Sequence, residues 1–223
     1  SMGNLFISAM VGVTGSFESG LEESSRVLAV RGRVVPSTLE AVVLAADIDI
    51  GEETPIRVYG ESQIPQAKGR ILRVLLEPSD PRAYPGALQA ILSADLIVVG
   101  PGSLYTSILP NLLVPEITRA LQASRAPKLY ICNVATQPGE TEHYTAEHHL
   151  KALEVHLGRD LFDTIVLNIG QPRRELPESV EWVKPEIQSR QALQVVKADL
   201  MCEDNPWRHD PDKLAATVMD ILS

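Results

Sequence analysis

Residues 95–113 read DLIVVGPGSLYTSILPNLL, and this stretch decides the fold. The apolar run at 96–99 is hydrophobic at successive positions, as a strand buried on both faces of a parallel sheet must be. It stops at Gly100-Pro101-Gly102-Ser103, and the hydroxyls of Ser103, Thr106 and Ser107 precede an apolar pattern of helical spacing. Strand, glycine-rich turn and helix make the first half of a βαβ unit. Glycines let backbone approach a ligand closely, and successive N–H groups beside a helix start form a partly positive nest. A small anionic group suits such a turn. A second reading also stands, in which the hydroxyls only cap the following helix.

The same rhythm runs outward from this stretch. Strand-length apolar runs occur at 71–76, 95–99, 128–133, 164–169 and 195–200, separated by helical periodicity at 85–93, 110–124, 145–157 and 211–222. The expected fold is α/β, a mainly parallel, doubly wound, Rossmann-like sheet. Thr145 and Gly158 read as the caps of one helix, and Asp210-Pro211 opens the last. Ahead of the alternation, 16–31 reads as a helix ended by Gly32. Residues 41–64 read as a small β-hairpin excursion around DIGEETP. Residues 3–223 are expected to form a single α/β domain, and Ser1-Met2 reads as a remnant of tag removal.

Composition narrows the function. Acidic residues outnumber basic ones, 29 to 20, for a net charge of −9, which disfavours nucleic-acid phosphates. No run of 18 apolar residues exists to span a membrane, and no signal peptide is visible. Cys132 and Cys202 have no CxxC spacing, and Cys132, within KLYICNV, reads as an inert core residue. The expected location is the cytoplasm. His149 and His156 share a helix face at i, i+7, too far apart for joint metal ligation. His209, beside Asp210, reads as capping or packing before function. The turn at 100–107 lacks the Gly-Lys-Ser/Thr of a P-loop and the G-x-S-x-G of a nucleophile elbow, so no catalytic residue and no metal ligand is assigned.

Ligands of open parallel sheets bind beyond the carboxyl ends of the strands. A second loop of that kind, NVATQPGETEHYT at 133–145, follows the strand at 128–133. It gathers Asn133, Thr136, Gln137, Glu140 and Thr141, whose amides and hydroxyls suit the hydroxyls of a sugar or ribose. The loops 100–107 and 133–141 are expected to face one another.

The stretches DLIVVGPGSLYTSILPNLLVPEI, NVATQPGETEHYTAEHHLKAL and RHDPDKLA, with GNLFISAMVGVTGSFESGLEESSRVLAVRGRVVPSTLE near the start, resemble the YvcK/CofD family, and within it the gluconeogenesis-factor branch. That resemblance implies a cytoplasmic, nonenzymatic regulator. It binds nucleotide sugars of the UDP-N-acetylglucosamine type and links carbon metabolism with cell-wall synthesis and cell shape. The alternative it implies is a CofD-like 2-phospholactate transferase of deazaflavin coenzyme biosynthesis. By the resemblance, Gly100, Gly102, Ser103, Thr106 and Ser107 form the diphosphate loop. Asn133, Thr136, Gln137 and Glu140 line the same crevice, and Asn4 falls in the family's GN pattern. Family members open with GGGTG and DDGGSSG segments that do not occur here. The first βα loop, and any acidic Mg²⁺ ligands of a transferase, are therefore expected in a preceding segment. No cofactor is implied beyond the UDP-sugar ligand. Self-association is expected through a sheet edge left open by those segments.

Overall fold

The computed structural model describes residues 2–29, 31–170 and 177–222 of the chain. Two sheets organise them, an antiparallel sheet of three strands and a parallel sheet of four. In the parallel sheet, β4 (Ile97–Val99), β5 (Lys128–Ile131), β6 (Thr164–Asn168) and β7 (Gln194–Ala198) lie side by side in sequence order. Their alternation shows why the runs are apolar throughout. In β5, Tyr130 packs into the larger core while its neighbours Leu129 and Ile131 pack into a second core on the other face. In β6, Ile165 and Leu167 face the larger core and Val166 the smaller. The helices α4 (Leu109–Leu112), α5 (Pro115–Ala123) and α6 (Ala146–Leu157) contribute to the larger core, and α7 (Pro211–Leu222) covers the smaller through Leu214, Val218 and Ile221. Both faces are thus covered, as the expected doubly wound α/β arrangement requires.

The antiparallel sheet places β1 (Val43–Asp49) between β2 (Ile56–Tyr59) and β3 (Arg70–Glu77). The hairpin excursion at 41–64 is present as β1 and β2. The run at 71–76, grouped above with the parallel strands, instead completes this lobe as β3. Its exposure alternates, with Ile71 and Val74 buried and Arg70 and Arg73 outside, so its pattern is that of a one-sided sheet. The lobe joins the main core through β1 and β3, and Val74 N–H donates to His156 Nε2 on α6 (2.9 Å).

Local chemistry sets the helix ends. Thr145 caps α6 by accepting from His148 N–H, while the His148 ring accepts from Thr145 N–H (3.1 Å), and Gly158 closes it with φ +89°. The helix expected over 110–124 is broken between α4 and α5, because Val114 is extended ahead of Pro115. α2 (Phe17–Val27) stops before Gly32, and a further helix, α1 (Met2–Thr14), precedes it. The close crossing of α1 and α2 needs Gly20, where a Cβ would lie 2.5 Å from a Val11 methyl. Within 85–93, α3 (Pro85–Leu92) starts on the proline favoured at a first helical position.

Candidate functional site

The carboxyl ends of β4 and β5, adjacent and parallel, open into a cleft of about 640 Å³. Gly102 and Ser103 form one wall, and Asn133, Thr136 and Gln137 form another. A third wall comes from Trp207, Arg208 and His209. The loops at 100–107 and 133–141 do face one another, as adjacent strand ends dictate.

The first loop turns sharply at Gly100. Its φ of +91° is open to glycine, and a Cβ there would press to 2.9 Å from the Ile131 carbonyl of β5. Gly102 differs, since a Cβ would meet Ile108 and Ser107 at 3.5 and 3.6 Å, ordinary contact distances. The fold therefore tolerates a side chain at 102, where the cleft wall is bare backbone. Residues Leu104–Ile108 then wind as a wide π-turn, with Ile108 N–H donating to Ser103 O (2.9 Å).

The hydroxyls do not cap this turn. Ser103 makes no side-chain cap, and the cap comes from Glu140 of the opposite loop. Tyr105 N–H donates to Glu140 Oε2 (3.1 Å), and Thr106 Oγ1 and Gln137 Nε2 donate to Oε1 (2.7 and 2.6 Å). Glu140 is 3% exposed, and burial pushes its carboxyl pKa up, against the lowering effect of these hydrogen bonds. The protein thus supplies its own anion to the inner side of the turn. Thr106 and Glu140 are spent on one another, Ser107 lies outside the cleft on an exposed surface, and Gly100 shapes the turn without lining the cleft. Thr136 lines the cleft, but its hydroxyl accepts from Glu181 N–H (2.8 Å). Asn4 lies in α1, and its side chain falls outside the described residues.

What remains free to meet a ligand is distinct. The Ser103 hydroxyl stands in the wall, and the Asn133 side-chain oxygen is buried with no hydrogen-bond partner among the described residues. Trp207, 44% exposed, offers a stacking surface, and Arg208 offers a guanidinium. Sequence reading placed neither of these two in the site. The signal was the aromatic-basic pair ahead of His209, but nothing in linear order joins residue 207 to residue 103. The structure does so by folding 201–209 back on itself, with a Met201–His209 bridge and Cys202 N–H donating to Arg208 O (3.1 Å). His209 Nε2 lies 3.1 Å from Cys132 O and pins this loop to the end of β5 as its donor. Burial lowers the His209 pKa, which favours the neutral ring. Cys132 is buried beside it, its thiol pushed up to about 12 by burial, and so inert. Among the described residues no group of three or more His, Cys, Asp or Glu side chains could hold a metal.

An α/β protein with a polar crevice beyond adjacent parallel strand ends is the class this geometry defines. The family model of the 2-phospho-L-lactate transferase CofD matches residues 1–205, so the chain belongs to the CofD family. The gluconeogenesis factor of Bacillus subtilis (strain 168) is 44% identical over 230 residues, covering all of this chain and 71% of that protein. The gluconeogenesis factor of Halalkalibacterium halodurans is 39% identical, covering 99% of this chain and 70% of its own length. A Nostoc relative is 42% identical over 98% of this chain, which spans only 49% of that longer protein. The crystal structure of a UPF0052-family protein from Bacillus halodurans superposes with a TM-score of 0.82 at 38% identity, over 98% of this chain and 71% of that one.

Proposed function

We propose that this chain carries the nucleotide-sugar site of a gluconeogenesis-factor protein, a cytoplasmic regulator linking carbon use with cell-wall synthesis and cell shape. One observation carries the reading. A single cleft brings together a bare backbone wall at Gly102-Ser103, an unpartnered Asn133 oxygen, and the Trp207-Arg208 pair. Backbone amides, the Ser103 hydroxyl and Arg208 suit a diphosphate. The Asn133 acceptor suits a sugar or ribose hydroxyl, and the Trp207 ring suits a planar base or a sugar face. The volume fits a ligand of that size. On this reading the protein has no resident cofactor. Mg²⁺ would enter only with a transferase activity, held by acids outside the cleft walls described above.

Calorimetry with UDP-N-acetylglucosamine and with GDP tests it. Binding of the UDP-sugar is expected, weakened by roughly 1–3 kcal/mol in Ser103→Ala, the scale of one charge-assisted hydrogen bond. A chain that binds GDP instead, and turns over a phospholactyl donor, would establish the transferase. Binding indifferent to Ser103→Ala and Arg208→Ala would place the ligand elsewhere.

A further inference from the structure

The two loops that wall the cleft meet on one buried carboxylate. Glu140 lies behind the cleft and lines none of it, whereas Ser103 and Gln137, on either side, both do. Its oxygens accept from Tyr105 N–H and Thr106 Oγ1 of the first loop and from Gln137 Nε2 of the second. Tyr105 extends the tie, because its hydroxyl lies 2.8 Å from that of Tyr144, one residue before the cap of α6. The π-turn at 104–108 has no side-chain cap of its own at Ser103, so Glu140 is what fixes its opening residues. A carboxylate only accepts hydrogen bonds and repels an anion, so its place behind the wall, satisfied by three donors, excludes direct ligand contact.

We propose that Glu140 is the positioning residue of the cleft, holding the Gly102-Ser103 backbone and the Gln137 side chain at the separation a diphosphate needs. This rests on the reading of the cleft as a diphosphate site. The raised pKa of the carboxyl accords with its place there, where only the three donors replace lost hydration.

Glu140→Met keeps the size of the side chain and removes every acceptor. Glu140→Gln keeps one acceptor, and Thr106→Val removes one donor from the other side. Calorimetry with inorganic pyrophosphate and with UDP-N-acetylglucosamine reads affinity, and amide hydrogen exchange reads where each variant loosens. The expected result is a loss of about tenfold or more for both ligands in Glu140→Met, with smaller losses in the other two variants. Faster exchange is expected to be confined to residues 102–107 and 137, with β5 and β6 unchanged. Should Glu140→Met fail to fold, the two milder variants decide the matter by the same readouts. Wild-type affinity in all variants overturns the proposal, and so does loosening spread evenly over the sheet, which marks a merely structural role. A wild-type chain that binds neither ligand overturns the diphosphate reading, and this assignment with it.

Discussion

His149 shows how burial alone sets the chemistry of a residue. It is fully buried on α6, its Nδ1 lies 3.0 Å from Thr145 O as donor, and its Nε2 has no hydrogen-bond partner among the described residues. Burial, the largest influence, pushes its pKa down to about 4. The native ring is therefore neutral, while the unfolded chain takes up a proton near pH 6.5. Between those values the unfolded state binds more protons, so stability falls as pH falls through that window. The full effect is on the order of 3 kcal/mol below pH 4. His156 and His209 are shifted in the same direction, and Glu140, whose pKa is raised, acts with the opposite sign. Urea denaturation at pH 7 and at pH 5 is expected to show a stability loss that His149→Phe reduces. An equal loss in the variant would assign the pH response elsewhere.

At the scale of elements, the irregular chain before β7 is held to α6 by charge. Arg190 is paired with Glu147 (2.8 Å) and with Glu154, about two turns further along the helix, and Gln188 N–H donates to Glu147 (3.0 Å). Burial raises the Glu147 pKa, but the hydrogen bonds of Gln188 and Arg190 outweigh it and hold the carboxyl below its ordinary value. These side chains are only 11–21% exposed, so removing the cation takes the ion pair from nearly buried Glu154, while Glu147 keeps Lys151 (3.4 Å) and Gln188 N–H. Arg190→Ala is expected to cost roughly 2–3 kcal/mol in urea denaturation, after allowance for partial solvent screening. A change below about 0.5 kcal/mol would show that this pairing behaves as an exposed surface bridge. The same segment reaches the cleft, because Thr136 N–H donates to Glu181 O and Glu181 N–H donates to the Thr136 hydroxyl. The variant therefore also tests whether the second wall depends on this tether.

At the scale of the whole molecule, the parallel sheet is covered unevenly. β4 forms one edge, and its Val98 is 42% exposed while every residue of β5 beside it is buried. An open edge with an apolar side chain tends to pair with another chain. Self-association rising with concentration is expected in sedimentation velocity, and Val98→Glu is expected to reduce it. A chain that stays monomeric at all concentrations would show that this edge is too short to recruit a partner.

The glycine-rich exit at 100–103, the caps at Thr145 and Gly158, and the apolar strands within 95–99, 128–133 and 164–169 are local signals, and each appears in the structure where sequence placed it. They rest on dihedral preference and on a burial period within a few residues, which linear order carries. The loops 100–107 and 133–141 could be placed together from topology alone, because adjacent parallel strands end side by side. Which side chains those loops present could not. Thr106 and Glu140 are separated by 34 residues and satisfy one another only after β4 and β5 align, which leaves Ser103 and Asn133 in the wall. Likewise β3 pairs antiparallel with β1 of the lobe and not with β4, although the two are about equally distant in sequence, and periodicity cannot name a partner. Trp207 and Arg208 entered the cleft through the fold-back at 201–209 and the His209–Cys132 hydrogen bond. Sequence determined the elements and the ends at which a ligand could sit, while tertiary packing chose which polar groups were consumed and which were left facing the cleft.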